Sequence, residues 1–379
     1  MGLRRPVFNL GLGSIADLWS AGQQGLWYDP SDMATLYQDS GGATSVTAVT
    51  QPTGLMLDKR LTRGPELFSS FTSTGAWTGS GAGPWSITSA AAETDLQVYF
   101  TGTIGKRYEV TITLSGVAGV ILIYGLNSNP YAAINGINTA RGVDDTGYLR
   151  IRAAAGASAT LTGVSVKELP GNHASQATAA ARPVYGTTGA QYLTFDGVDD
   201  GLSTGAITLG ADMDCFIAVR RNSAARVVLA SAGVSGAAYF GVAEAGQNTA
   251  QADSGAGLPT YAANGVLLNG GAVSVTRDQI HIALPVASWV VLEARNLNLS
   301  VAIWNAFSIG NYASFTLNGD IAGIVLVPAG DEATRLRIRQ ALGAKVGLTF
   351  AATTVPANAI YNTSGSVITD SSGSPITTS

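Results

Sequence analysis

The sequence predicts an all-β protein: two antiparallel β-sandwich domains of the jelly-roll type in series after an extended N-terminal arm, with a short helix near 331–344. Charged residues make up only 12% of the chain and glycine is abundant, a composition typical of sheet and turn structure. Short runs of strand length recur between Gly, Ser, Asn and Pro, as they do in antiparallel sandwiches. A helical pattern stands out close to the C-terminal end.

The length of 379 residues allows two or three domains, since one domain usually takes roughly 100 to 200 residues. Changes in composition divide the chain into an arm (1–64), a first sandwich (65–170), a second sandwich (171–350) and a tail (351–379). The tail is rich in Ser, Thr, Asn and Gly, which is typical of a disordered segment or of an extended arm along a neighbouring subunit.

The arm carries many large apolar side chains but no long periodic element, because Pro30, Pro52 and the pair Gly41 and Gly42 interrupt it. Exposed clusters of large apolar groups mark interaction surfaces, so the arm either docks into a partner or packs on its own next domain. We take docking as the prediction. The residues expected to make that attachment are Trp27, Tyr28, Leu36, Tyr37, Leu55 and Met56.

The first sandwich is predicted from strand patterns. Residues 108–114 alternate between apolar and polar side chains, which predicts a half-buried strand. Residues 120–124 form a continuous apolar run between Gly119 and Gly125, which predicts a strand covered on both faces. Residues 148–152 alternate again, and 161–166 supply the last strand of the domain.

In the second sandwich, residues 214–219 predict a core strand around Cys215. This residue is the chain's single cysteine, so the sequence indicates a small buried apolar group rather than a disulfide or a nucleophile. Residues 279–284 alternate, which places His281 on the polar face of a strand. The alternation in 297–304 puts Trp304 on a polar face, as a binding platform, an intersubunit contact or ordinary packing under a loop.

The helix near the C-terminal end is predicted from its boundaries. Asp331 is a good N-cap and Gly347 a good stop. Ile338 and Leu342 lie on one stripe of this helix, which should pack against the sandwich, with Arg339 on a more exposed side.

Residues that could carry chemistry are few. Asp196, Asp199 and Asp200 supply closely spaced oxygen ligands suited to calcium, although Asp-Gly pairs are also ordinary turn formers. Two isolated histidines, His173 and His281, do not make a metal site. No catalytic phrase accompanies the sparse carboxylates, so the sequence predicts neither an enzyme nor another cofactor.

Charge and hydropathy argue against a nucleic-acid-binding protein and against a membrane protein. The net charge of −4 provides no basic footprint for nucleic acid. No stretch approaches the roughly 20 apolar residues of a membrane span, and the N-terminus lacks the apolar run of a signal peptide. We therefore expect synthesis in a cytoplasm and no membrane insertion.

Three sets of motifs resemble known families. The blocks WYDPSD (27–32), LYQDS (36–40) and PTGLMLDK (52–59) are similar to N-terminal segments of tailed-phage virion proteins. The phrases ELFSSFTSTGAW (66–77), KRYEVTITLSG (106–116) and ATLTGVSVKEL (159–169) resemble carbohydrate-binding modules of the galactose-binding-like jelly-roll class. YLTFDGVDDGLS (192–203) and the segment 319–347 resemble laminin G-like, concanavalin A-like lectin domains.

These resemblances imply a function in binding. Carbohydrate-binding modules hold sugars on aromatic platforms, which makes Trp77, Trp85 and Tyr131 candidates, with Tyr99 and Tyr124 as further aromatics able to serve. Trp304 is the candidate in the second sandwich. Laminin G-like domains sometimes hold calcium, which adds to the case for the aspartate cluster.

The expected protein is a structural virion component, most plainly a tail fibre or related appendage that attaches through its arm to other virion proteins and binds host-surface glycans. Fibres of this family are usually homo-oligomers, often trimers. The alternatives are a capsid decoration or head-fibre protein and, less favoured, a polysaccharide-degrading enzyme.

Overall fold

The computed structural model describes residues 15–19, 23–60, 64–81, 83–126, 131–144, 146–225, 229–232, 239–240, 243–246, 265–273, 275–300, 304, 306–312 and 315–351. The predicted tail lies outside these residues except for Ala351. The first three strands among the described residues are short: β1 (Leu26–Tyr28), β2 (Leu36–Tyr37) and β3 (Leu55–Met56). Short 3-10 turns occur at Ile15–Leu18, Met33–Thr35 and Ala179–Ala181.

The next nine strands form the first sandwich. They are β4 (Phe68–Ser73), β5 (Trp85–Ile87), β6 (Thr94–Phe100), β7 (Arg107–Ala118), β8 (Ile121–Tyr124), β9 (Tyr131–Ala132), β10 (Gly136–Val143), β11 (Tyr148–Ala153) and β12 (Ser158–Glu168). A four-stranded sheet in the order β10-β7-β12-β5 packs on a five-stranded sheet in the order β4-β6-β11-β8-β9.

The remaining strands and both α-helices of the described chain follow. They are β13 (Ala174–Ser175), β14 (Val184–Gly186), β15 (Tyr192–Asp196), β16 (Leu202–Thr204), β17 (Met213–Arg221), β18 (Ala230–Ser231), β19 (Tyr239–Phe240), β20 (Val266–Leu268), β21 (Gly271–Val273), α1 (Arg277–Ala283), β22 (Val290–Leu297), β23 (Ser308–Ile309), β24 (Asn311–Tyr312), β25 (Phe315–Thr316), β26 (Asn318–Pro328) and α2 (Glu332–Lys345).

The second sandwich is built from two large sheets. One has the order β14-β15-β26-β17-β22-β20-β21, with β1 also paired to β26; the other has the order β19-β18-β23-β16-β13-β3-β2. Apolar residues of both sheets share one buried core, and the strand pairs of both sandwiches are antiparallel. The predicted all-β sandwich class is therefore confirmed.

The N-terminal segment belongs to this second sandwich, which corrects the prediction of a separate arm. Strand β1 pairs with β26, and β3 pairs with both β2 and β13. Of the six residues assigned to attachment, Trp27 is half-buried and the other five, which are Tyr28, Leu36, Tyr37, Leu55 and Met56, are buried in their own chain. The apolar side chains are explained by the chain's own core.

The first sandwich is therefore an insertion. The chain leaves the second sandwich after β3 and returns at β13, and these two strands pair with each other, with Met56 opposite Ala174. The two crossings also lie side by side, since the amide of Gly64 donates to the carbonyl of Glu168 over 2.9 Å. The chain therefore forms β1 to β3 of the second sandwich, then the whole first sandwich, and then the rest of the second sandwich. The prediction had placed two complete sandwiches after an arm.

A half-buried histidine fastens this crossing. The amide of Asp58 donates to Nδ1 of His173 over 3.0 Å, and Nε2 of His173 lies 2.9 Å from the carbonyl of Leu169. Since Nδ1 accepts a hydrogen bond, Nε2 carries the proton and the ring is neutral. Burial lowers the pKa of His173 to about 4, in keeping with that neutral state.

Helix α2 packs on the outer face of the eight-stranded sheet, as predicted. The carboxylate of Asp331 caps it by accepting from the amide of Thr334 over 2.8 Å, and Ile338 and Leu342 are fully buried. Arg339 is buried rather than exposed, because its guanidinium pairs over 2.7 Å with Glu293, a carboxylate of β22 that has no exposed surface. This pair fixes the helix to the sheet.

Helix α1 contradicts the predicted strand around His281. Thr276 caps the helix, with Asp278 in its first turn, and only Ile280 of the apolar residues in 277–283 is fully buried. Ile282 is 66% exposed. The alternating apolar residues therefore belong to a short helix that buries Ile280 and exposes Ile282, and not to a two-sided strand.

Candidate functional site

Strands β6, β11 and β8 of the first sandwich have one buried face and one open face. Along β6 and β11 buried and half-buried residues alternate without exception, and β8 continues the pattern with Ile121 and Ile123 buried. The run 120–124 is thus covered on one face only, which corrects the prediction that both its faces are buried. The uncovered face carries Asp95, Gln97, Tyr99, Leu122, Tyr124, Tyr148, Arg150 and Arg152, which we call the Tyr–Arg face.

The strand register brings these side chains together. Tyr148 lies opposite Tyr99, and Arg152 lies opposite Asp95 on the neighbouring strand. On the other side of β11, Arg150 lies opposite Tyr124. Residues opposite each other in adjacent strands are close enough for their side chains to touch, so the pleat alone builds a continuous surface across three strands.

Two tyrosine rings form one end of the face. The rings of Tyr99 and Tyr148 lie 5.6 Å apart between centroids and are tilted by 31°. The hydroxyl of Tyr99 donates to Oε1 of Gln97 over 2.7 Å, which holds that ring in place. Rings held in this way offer an apolar surface at little cost in conformational entropy.

Two arginines and a third ring form the other end. The guanidinium carbons of Arg150 and Arg152 each lie 5.2 Å from the centre of the Tyr124 ring, within the range of cation–π contacts. Arg152 also makes a two-pronged contact with Asp95, with Nε to Oδ1 at 2.8 Å and a terminal nitrogen to Oδ2 at 3.1 Å. The hydrogen bonds that Arg152 donates to Asp95 hold the pKa of Arg152 above its usual range, so this cation stays charged.

The charges of the face cancel. Arg150 lies 3.7 Å from Asp95, and Arg152 lies 3.2 Å from the exposed carboxylate of Glu93. The face itself carries two cations and one anion, and Glu93 beside it brings the total charge to zero. The face combines apolar rings with fixed donors and acceptors and has no net charge, a combination suited to a neutral ligand rich in hydroxyl groups.

The residues proposed from sequence as glycan contacts lie elsewhere. Trp77 and Trp304 are buried, with 3% and 1% of their surface exposed, so both serve as packing groups; the expectation that they bind glycans is wrong for that reason. Trp85 is half-buried, with its ring centre 5.8 Å from that of Phe71. The side chain of Tyr131 lies outside the described residues.

Tyr99 and Tyr124, which the sequence marked as further aromatics, are the ones that lie on the open face. Tyr148 and the two arginines were missed, although their signal was present. Residues 148–152 alternate, and the polar positions of that alternation are Tyr148, Arg150 and Arg152. A half-buried strand with tyrosine and arginine on its polar side is a pattern that could have identified the site.

The aspartate cluster is brought together by a turn after β15. Ligand oxygens of Asp196, Asp199 and Asp200 lie within 4.8 Å of one another, with Asp200 buried and the other two exposed. The amide of Asp196 donates to Oδ2 of Asp200 over 3.0 Å, so the cluster also stabilises its own turn. Burial, and then the charges of Asp196 and Asp199, raise the pKa of Asp200 to about 6. Calcium at this position stays a prediction.

Comparisons with known proteins assign no family. No family model matches the chain, and no curated protein matches it significantly. Among solved structures, the arabinofuranosyltransferase AftD from mycobacteria is similar over 82% of this chain, at 9% identity and a TM-score of 0.18. The chain spans 44% of the length of that structure. A likeness at this TM-score assigns neither a fold nor an activity. In the described part of the chain, no helix is both long and apolar enough to span a membrane.

Proposed function

We propose that this chain is a structural component of a tailed-phage virion, a tail fibre or related appendage, that binds glycans of the host surface through the Tyr–Arg face. The observation that carries the proposal is the open face itself: three tyrosine rings and two arginines on adjacent strands, with balanced charge. Saccharides present both C–H faces and hydroxyl groups, and this surface offers a partner for each.

The virion setting is supported by the sequence blocks WYDPSD, LYQDS and PTGLMLDK. Their residues build β1, β2 and β3 and the turns between them, so the resemblance concerns the second sandwich rather than a free arm. Attachment to other virion proteins then uses outer surfaces of the sandwiches or the chain termini, and not the six apolar residues first assigned to it.

Binding by one such face is expected to be weak, because the face is shallow and charge-neutral. Several copies in one appendage raise the overall affinity by increasing the effective concentration of the remaining sites. A homo-oligomer, in the form of the trimer expected of fibres, fits this requirement and is part of the proposal.

Electron cryomicroscopy of purified particles tests the virion assignment. We expect density for both sandwiches on the tail or its fibres, with the Tyr–Arg face turned away from the particle. Density spread over the capsid would instead support a decoration or head-fibre protein. Absence of the chain from purified particles would overturn the assignment.

A further inference from the structure

A cleft of about 430 Å³ lies between the two sandwiches, apart from the Tyr–Arg face. Three segments line it: the turn before β7, the returning crossing after β12, and the loop after β16. Cavities of roughly 300 to 1,000 Å³ at domain interfaces are the usual size and place of small-molecule sites. The cleft is therefore large enough for a sugar unit and is closed on both sides by different domains.

One wall of the cleft is cationic. Arg107 is half-buried, and its two terminal nitrogens donate to the carbonyls of Gly41 and Ser40, over 2.9 and 3.2 Å. Carbonyls hold the guanidinium in place without cancelling its charge. Burial lowers the pKa of Arg107, with Asp39 as the opposing charge, yet an arginine stays protonated under such a shift. The neighbouring Lys106 lines the same wall and is exposed.

The rest of the lining is polar and close to neutral. Glu168 is the carboxylate among the lining residues, against the two cations, and His173 is held neutral by burial and by the hydrogen bond that its Nδ1 accepts. Ser175 and backbone groups of the crossing supply further hydrogen-bonding positions. A ligand that fits this lining carries one negative charge at one end and hydroxyl groups elsewhere.

We propose that this cleft binds an acidic saccharide unit, with its carboxylate against Lys106 and Arg107 and its hydroxyl groups toward the crossing. The inference rests on the proposed glycan-binding function and adds a second subsite with a different preference. The Tyr–Arg face takes neutral sugar units by stacking, whereas the cleft takes a charged unit between the two domains. A glycan that contains both neutral and acidic sugars offers a unit for each site.

Gly205 provides a clean way to block the cleft. It lines the cavity, its backbone is not in the left-handed region, and a Cβ added there meets no heavy atom within 4 Å. Gly205→Tyr therefore adds a bulky ring at the lining of the cleft without a clash in the fold. Lys106→Gln removes one of the two positive charges, and Lys167→Gln, which makes the same change on β12 outside the cleft, is the matched control.

The experiment is calorimetric titration of the full chain with an oligosaccharide of alternating glucuronic acid and N-acetylglucosamine. A neutral oligosaccharide of equal length and inorganic phosphate serve as comparison ligands. We expect the acidic probe to bind at least tenfold more tightly than the neutral one. Lys106→Gln should weaken it about tenfold and Gly205→Tyr should remove the preference, with Lys167→Gln unchanged and the melting temperature of each variant retained.

Three results would overturn the inference, and the third would overturn the proposed function as well. Equal affinity of the acidic probe for the wild type and for Gly205→Tyr would place all saccharide binding outside the cleft, while leaving glycan binding by the Tyr–Arg face intact. Binding of phosphate as tight as that of the acidic probe, with the same sensitivity to Gly205→Tyr, would show an adventitious anion only. If the wild type binds no saccharide in this titration, both the proposed glycan-binding function and this subsite are overturned.

Discussion

Leu26 lies directly opposite Leu326 in a pair of antiparallel strands, and both side chains are fully buried in the core of the second sandwich. An early and a late strand of the described chain are thus joined in one sheet. The first sandwich sits inside this closed unit as an insertion. The N-terminal segment has to fold with the rest of the protein, because without it β26 loses a neighbour and the core loses several large side chains.

The first prediction follows from that pairing. Leu26→Ala should lower the free energy of unfolding by about 2–5 kcal/mol, since it removes a fully buried leucine and leaves a cavity. Val49→Ala is the control in the same segment, because Val49 is 48% exposed, and it should change the free energy by less than about 0.5 kcal/mol. Urea unfolding followed by circular dichroism measures both. An unchanged free energy of unfolding for Leu26→Ala would contradict the pairing of β1 with β26 and would favour an independent N-terminal arm.

Much of the fold follows from local pattern. The strand at 108–114, the capped helix after Asp331 and the buried Cys215 were all predicted, because each depends on alternation, capping or burial within a few residues. The placement of the N-terminal segment depends on pairing between residues such as Leu26 and Leu326. Sequence periodicity carries no information on which distant strand a short apolar run will join.

The site was only partly predictable for a related reason. Tryptophan is a common platform for sugars, and the sequence therefore predicts glycan contacts at Trp77 and Trp304. Both side chains are instead buried in the cores. Tyr99 and Tyr124 are on the open face because side chains alternate between the two faces of a strand, and both occupy half-buried positions of that alternation. Their approach to Tyr148 and the arginines depends on the register between strands, which the sequence does not state.

The second prediction concerns His173. Its pKa is about 4 in the folded protein because of burial and about 6.5 when unfolded, so the unfolded state binds a proton more readily between these values. Stability from this group is present above about pH 6.5 and is lost as the pH falls toward 4, by up to about 3 kcal/mol at about 1.4 kcal/mol per pKa unit.

The matching experiment compares His173→Asn with the wild type in urea unfolding between pH 7 and pH 4. The variant should be less stable than the wild type at pH 7, and the difference should shrink as the pH falls. His281→Asn, on helix α1, is the control, and its difference from the wild type should vary less with pH. A difference for His173→Asn that is constant with pH would contradict the neutral state of this ring.

The third prediction concerns Asp200, whose contribution to the free energy of unfolding changes with pH in the direction opposite to that of His173. Asp200 has a raised pKa of about 6, so the folded protein holds this proton more tightly than the unfolded chain does. The protonated carboxyl of Asp200 stabilises the folded state below about pH 4, and this stabilisation is lost as the pH rises through about 6. Asp200→Asn should therefore exceed the wild type in stability at pH 8, by about 1 kcal/mol after allowance for solvent screening, and the gain should vanish near pH 4. A variant less stable than the wild type at pH 8 would mean that the ionised carboxylate is needed there.

The most direct test of the account is binding of the full chain to an array of neutral and acidic saccharides, compared with the double variant Tyr99→Ala, Tyr124→Ala. Both rings lie on the open face, so their loss should leave the melting temperature nearly unchanged. Ile137→Ala is the control, since Ile137 is 69% exposed on β10 of the other sheet. We expect the wild type and the control to bind neutral saccharides and the double variant to lose at least tenfold in affinity, the equivalent of about 1.4 kcal/mol. Equal binding by the wild type and the double variant, or no saccharide bound by the wild type, would contradict the assignment of the Tyr–Arg face.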